Sequence, residues 1–165
     1  MPTEPPPPPP VPQTYRIVVG IDYSELSALA LDASFGMALE RDGMIYALAV
    51  AAPPLNRPAE ESEAATDAFR AEAKQTLDSF LNERVARFEQ AGMRINRMRL
   101  ASTVDFGDPA SCIVSLASET DADLIVVGTH GRTGLQRMMV GSVAAKVLKN
   151  ASCSVLVVRP QAHEP

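Results

Sequence analysis

A chain of 165 residues with 20 acidic and 15 basic side chains, net charge -5, is long enough to bury one proper core. Its 46% hydrophobic and 21% charged residues give the balance of a globular domain, and an acidic chain without a basic stripe is a poor ligand for nucleic acid. No apolar run approaches a membrane span, no basic-then-apolar leader opens the chain, and two cysteines and two histidines form no metal-ligand spacing. Neither membrane nor nucleic acid is therefore an expected partner, and the cytoplasm is the expected location.

Met1 to Thr14 stand apart from the rest, with Pro2, an unbroken run from Pro5 to Pro10, and Pro12. Such a run favours polyproline II and cannot enter a sheet. It reads first as a solvated spacer, and second as a docking peptide for a proline-recognition partner. Folding is expected over 15–160, leaving 161–165 as a short polar tail.

Arg16 to Ile21 is β-branched and apolar, the pattern of a strand buried on both faces. Ser24 is placed as the cap of a helix over Leu26 to Glu40 that stops near Gly43. Met44 to Val50 forms the second strand, and the proline-containing stretch from Ala51 to Glu63 is an exposed loop. A long helix follows from about Ala64 to Ala91, its stripe carried by Phe69, Ala73, Leu77, Phe80, Leu81, Val85 and Phe88, with Gly92 just past its end.

Arg94 to Thr103 reads as a partly exposed third strand whose arginines, Arg94, Arg97 and Arg99, make a solvated face. Asp108-Pro109 starts a helix that runs to about Thr120. Asp123 to Gly128 is the fourth strand, Ser142 to Lys149 the last helix and Ser154 to Arg159 the fifth strand. This βαβαβαβαβ alternation predicts an α/β fold, a parallel sheet with helices on both faces.

In such a sheet ligands sit beyond the C-terminal strand ends, where the strand order reverses. The first strand ends in Gly20-Ile21-Asp22. The fourth ends in Val127-Gly128 and opens the pattern G-x2-G-x9-G-S: Gly128, Gly131, Gly141, Ser142. Glycines let the backbone approach a phosphate chain, and the free N–H groups of Ser142 and Val143 open a helix, where anions are held. Arg132 adds positive charge. If the first and fourth strands are neighbours, Asp22 faces this run across one crevice, and beside phosphates it needs Mg²⁺ or Mn²⁺ between, or accepts from ribose or a backbone N–H instead. No Walker A or GxGxxG signature is present.

Three segments carry a family resemblance: VVGIDYSELSALAL, the Gly107-Asp108-Pro109 turn, and GTHGRTG…VGSVAAKVLKNASCSVLVVR. The chain resembles the universal stress protein family from Tyr15 to about Pro160, and the ungapped glycine pattern is similar to that of its ATP-binding branch. The resemblance implies a doubly wound five-stranded sheet in order 3-2-1-4-5, a homodimer, and a bound ATP. Carried over, Asp22 lies at the ribose and phosphate side as the metal residue, with Gly20 and Ile21 beside it. Val50 meets adenine through its backbone, and Val127 and Gly128 line the adenosine. Gly131, Arg132, Gly141, Ser142 and Val143 hold the phosphates. The family often has His before the second-strand valine, where this chain has Ala49.

A dimeric regulatory module binding ATP with a divalent cation is the expected function. The alternatives are a scaffold with a vestigial site, and a weak ATPase or phosphotransferase drawing on His130, Asp22 or Ser142. No paired carboxylates or triad-like set accompanies the pattern, so no catalytic residue is assigned. In the implied strand order Val155, Leu156, Val157 and Val158 form an apolar sheet edge, a liability that pairing with a second copy would cover.

Overall fold

A computed structural model describes residues 14–51, 63–129 and 140–159. The proline-rich segment, the loop expected after the second strand, and His130, Gly131 and Arg132 lie outside the described residues. Five parallel strands form one sheet: β1 (Arg16–Ile21), β2 (Met44–Ala51), β3 (Leu100–Phe106), β4 (Leu124–Gly128) and β5 (Ser154–Val158), ordered β3-β2-β1-β4-β5. Four helices connect them: α1 (Glu25–Arg41), α2 (Glu63–Gln90), α3 (Pro109–Glu119) and α4 (Ser142–Asn150). The order matches the one implied by the family resemblance.

Each helix start has a local cause. The Ser24 side chain accepts from the Ser27 N–H to cap α1, and Asp108 accepts from the Ser111 N–H ahead of Pro109 in α3. Helix α1 ends at Arg41, close to Gly43 as expected. Asp42, not Gly43, takes the left-handed conformation at φ 49°. Gly43 is needed for space, because a Cβ there would lie 3.0 Å from the Tyr15 carbonyl and 3.2 Å from the Ala38 Cα.

The two sheet faces have separate cores. One packs Ile17, Val19, Ile21 and Val126 under α1 (Leu31, Phe35) and α2 (Leu77, Leu81, Val85). The other packs Val18, Leu48, Ile125 and Val127 under α3 (Ile113, Ala117) and α4 (Ala144, Val147). Fully burying each such aliphatic side chain contributes about 1.5–3 kcal/mol. Asp32 on α1 and Arg84 on α2 form a two-pronged ion pair with little solvent exposure, which ties the two helices of the first face together.

The third strand departs from the sequence expectation. It starts at Leu100 and runs on to Phe106, while Arg97–Arg99 form a 3-10 turn capped by the Asn96 side chain. The arginines before it stay largely solvated, Arg94 and Arg97 exposed and Arg99 partly so, and two of them have surface partners. Arg99 donates to the Asp42 carboxylate and carbonyl, each at 2.7 Å, and Arg97 reaches Asn82 at 2.7 Å and Glu89 at 3.6 Å. Partners distant in sequence hold this segment in a turn.

Candidate functional site

From β1 the chain winds outward through β2 to the edge strand β3, then returns across the sheet to β4 and out to β5. The reversal falls between β1 and β4, which pair directly with Val19 opposite Val126. Gly20, Ile21 and Asp22 follow on one strand as Val127 and Gly128 follow on the other, so both sequence-predicted strand ends meet at the switch point. On the other side of β1, Ile21 is opposite Ala49, which sets Val50 one step further at the same end of the sheet.

Helix α4 begins where β4 ends. The Gly141 N–H donates to the Thr129 carbonyl at 2.6 Å, and the Thr129 N–H donates to the Val158 carbonyl at 2.9 Å. The start of α4 is thereby fastened over the C-terminal edge of β4 and β5. Gly141, not Ser142, is the cap residue, and it supplies no side-chain hydrogen bond. Ser142 is the first helical residue, as the sequence predicts, and is exposed at the helix start. Its N–H and those after it are the donors a helix leaves without intrahelical partners, and they favour an anion. At φ -58° and ψ 161° Gly141 occupies backbone space open to any residue, so its conformation does not require glycine.

The glycines at the strand ends have a different reason. A Cβ on Gly128 would lie 2.9 Å from the Leu26 Cβ, and one on Gly20 would lie 2.8 Å from the Ile113 Cδ1. Both permit close approach of a helix, α1 at Gly128 and α3 at Gly20. Sequence reasoning had assigned these glycines to ligand approach alone. Val50, Val127 and Val143 turn their side chains toward the core beneath α3 and α4, which leaves their backbones as the groups able to meet a ligand.

Asp22 is half-buried at the mouth of this crevice. Tyr23 has a left-handed φ of 65°, and its ring packs edge-on against Phe80 at 5.5 Å. That turn swings Ser24 back, so its N–H donates to Asp22 Oδ1 at 3.0 Å and its hydroxyl to the same oxygen at 2.5 Å. Among the described residues no cluster of three or more His, Cys, Asp or Glu gathers for a metal. Asp22 offers a carboxylate at this end of the sheet, the kind of hard oxygen donor that Mg²⁺ or Mn²⁺ would take.

Two further titratable groups stand at the start of α3. Asp108 caps α3 and also accepts from Lys146 of α4 at 2.9 Å; that ammonium, then Ser111, holds its carboxyl below the usual range. Burial pushes the Cys112 thiol up, with Asp105 and Asp108 adding to it, so it stays protonated and packs as a small apolar group. Cys153 is likewise pushed up by burial. No helix among the described residues is long and apolar enough to cross a membrane.

The sequence profile of the universal stress protein family matches residues 14–159. Universal stress protein MJ0531 of Methanocaldococcus jannaschii is 38% identical over 152 residues, covering 90% of this chain and 84% of its own. The structure of universal stress protein UspA from Lactobacillus plantarum superposes with a TM-score of 0.70 at 24% identity, over 89% of this chain and 99% of that one, a likeness of fold. A universal stress protein crystallised in complex with cAMP has a TM-score of 0.64 at 28% identity, over 87% of this chain and 96% of its own. The chain belongs to the universal stress protein family.

Proposed function

We propose that this protein binds ATP, with Mg²⁺ or Mn²⁺, across the β1–β4 switch point and acts as a regulatory stress-response module. The observation that carries the reading is Gly141. It is a cap residue whose conformation does not demand glycine, it leaves the first turn of α4 without a side-chain cap, and it is fastened to the end of the strand beside Asp22. A glycine there makes room for a ligand on those N–H groups. The relative in complex with cAMP supports an adenine nucleotide as the class of ligand.

In this reading Asp22 holds the cation and the backbones of Val50, Val127 and Gly128 face the base and ribose. Ser142 and Val143 donate to phosphate, with Gly131 and Arg132 assigned to phosphate by the sequence pattern. Binding without required turnover is proposed, since no paired carboxylates or triad-like set accompanies the glycine pattern. The domain spans 15–160, pairs with a second copy through β5 and works in the cytoplasm. The proline-rich segment is proposed first as a solvated spacer and second as a docking element for a proline-recognition partner.

Titration calorimetry with ATP and Mg²⁺ or Mn²⁺ tests the reading. Saturable binding of one nucleotide per chain is expected, and no heat at millimolar nucleotide overturns it.

A further inference from the structure

We propose that Ser24 sets the cation preference of this site by occupying one carboxylate oxygen of Asp22, so that the carboxylate meets a metal ion through its other oxygen only. The inference rests on the nucleotide-and-cation reading above and adds a residue with a selective role to it.

Asp22 Oδ1 receives two donors, the Ser24 N–H at 3.0 Å and the Ser24 hydroxyl at 2.5 Å. A carboxylate offers about four lone-pair positions over its two oxygens, so two donors fill Oδ1. Oδ2 accepts no hydrogen bond from a described residue.

The arrangement is held from behind. The Ser24 oxygen accepts from the Ser27 N–H at 3.2 Å, and the Ser27 hydroxyl donates back to the Ser24 carbonyl at 3.0 Å. With its proton committed to Asp22 and its lone pair committed to the first turn of α1, the Ser24 hydroxyl cannot rotate away without losing both bonds.

A carboxylate limited to one oxygen discriminates between cations. Ca²⁺ takes six to eight oxygens at longer distances and often draws on both oxygens of one carboxylate, whereas Mg²⁺ keeps near-octahedral geometry with one oxygen from each carboxylate and several waters. Mn²⁺ shares the octahedral oxygen preference. The Ser24 clamp therefore disfavours Ca²⁺ relative to Mg²⁺ and Mn²⁺ at the same nucleotide.

The test is the ratio of ATP affinities measured with saturating Mg²⁺ and with saturating Ca²⁺, in the full chain and in Ser24→Gly and Ser24→Thr. Glycine still serves as a helix cap residue but lacks the hydroxyl, and threonine keeps it. Far-UV circular dichroism checks that α1 persists in both variants. The unchanged chain is expected to favour Mg²⁺, Ser24→Gly to lose at least about threefold of that preference as Oδ1 opens to Ca²⁺, and Ser24→Thr to retain it. EPR of bound Mn²⁺ gives a second readout, with a changed coordination signature expected in Ser24→Gly alone. An unchanged ratio in Ser24→Gly, or affinity lost equally with both cations, reduces Ser24 to a helix cap and overturns the inference while the nucleotide reading stands. Absence of nucleotide binding by the unchanged chain with either cation overturns both.

Discussion

The Gly141 N–H and the Thr129 carbonyl meet at 2.6 Å, which fixes the start of α4 over the end of β4. Because Gly141 sits at φ -58°, a side chain at this position is compatible with the backbone. Gly141→Asp therefore separates folding from binding. An aspartate cap satisfies a first-turn N–H and complements the helix dipole, so the protein should match or exceed the original stability by a few tenths of a kcal/mol. The same carboxylate takes the donors proposed for phosphate and repels the ligand. ATP affinity should fall by more than about tenfold, equivalent to about 1.4 kcal/mol. Thermal denaturation without nucleotide, set beside ATP titration, checks the two halves, and retained affinity would remove Gly141 from the phosphate site.

Gly128 and Gly36 make a contrasting pair. A Cβ at Gly128 would press on Leu26 at 2.9 Å from its Cβ and 3.3 Å from its carbonyl carbon, where α1 lies against the end of β4. Gly36 lies within α1, and nothing stands within 4 Å of a Cβ placed there. Gly128→Ala is expected to cost about 1–3 kcal/mol through overpacking against helix backbone that cannot swing aside. Gly36→Ala is expected to stabilise by roughly 0.5–1 kcal/mol through helix propensity. Urea denaturation of both variants reads the difference in sign. A neutral Gly128→Ala would mean that α1 shifts freely, contrary to its packing through Leu31 and Phe35.

These glycines also show where sequence reasoning succeeds and where it stops. The caps at Ser24 and Asp108 were legible because each signal sits within four residues of its effect, and the strand order followed from alternation together with the family resemblance. The reasons for Gly20 and Gly128 were not legible, since Ile113 and Leu26 reach them only once the sheet is folded. The third strand was misplaced for the same kind of reason. Arginines spaced among Ile95, Met98 and Leu100 look like strand alternation, yet Asp42 and Glu89 anchor them in a turn from other elements. Gly141 was legible as part of a pattern, but its role as the cap of α4 depends on backbone angles that no spacing reveals.

The Lys146–Asp108 pair, 2.9 Å apart, links α4 to the cap of α3 and carries a pH dependence of defined sign. The Asp108 carboxyl is held below its ordinary value by Lys146 first and Ser111 second. A depressed folded-state pKa stabilises the folded protein above the unfolded value, about 3.9, and the effect is lost as pH falls through the folded value. Asp108→Asn keeps a competent cap but removes the charge. The melting temperature of the unchanged chain should therefore exceed that of Asp108→Asn from pH 7 down to about 5, with the two converging below about 4. Because the pair is exposed, the gap should narrow in molar salt. Parallel melting curves at every pH would show that the pair contributes nothing to folding.

The two edges of the sheet are finished differently, and the contrast bears on assembly. On β3, Arg70 of α2 donates to the Val104 carbonyl at 3.1 Å, and Asp78, paired with Lys74, accepts from Ser102 at 2.6 Å. Burial pushes the Asp78 carboxyl up, but Lys74 and Ser102 outweigh it and leave it below the usual range, charged and committed to guarding that strand. Among the described residues no such guard covers β5. Among the described residues no side chain hydrogen-bonds to it, and Leu156 is 37% exposed in its centre. An uncovered apolar edge strand invites pairing, and a second copy of the same edge satisfies it with two-fold symmetry. Covering the exposed third of one leucine contributes about 0.7 kcal/mol, and symmetry counts it twice, so Leu156→Lys should weaken dimerisation by at least about tenfold. Sedimentation velocity at micromolar concentration should show a dimer for the unchanged chain and a monomer for Leu156→Lys, with the helix content of both the same. A dimer that survives the lysine would move the interface away from β5, and the bare edge would then need another cover.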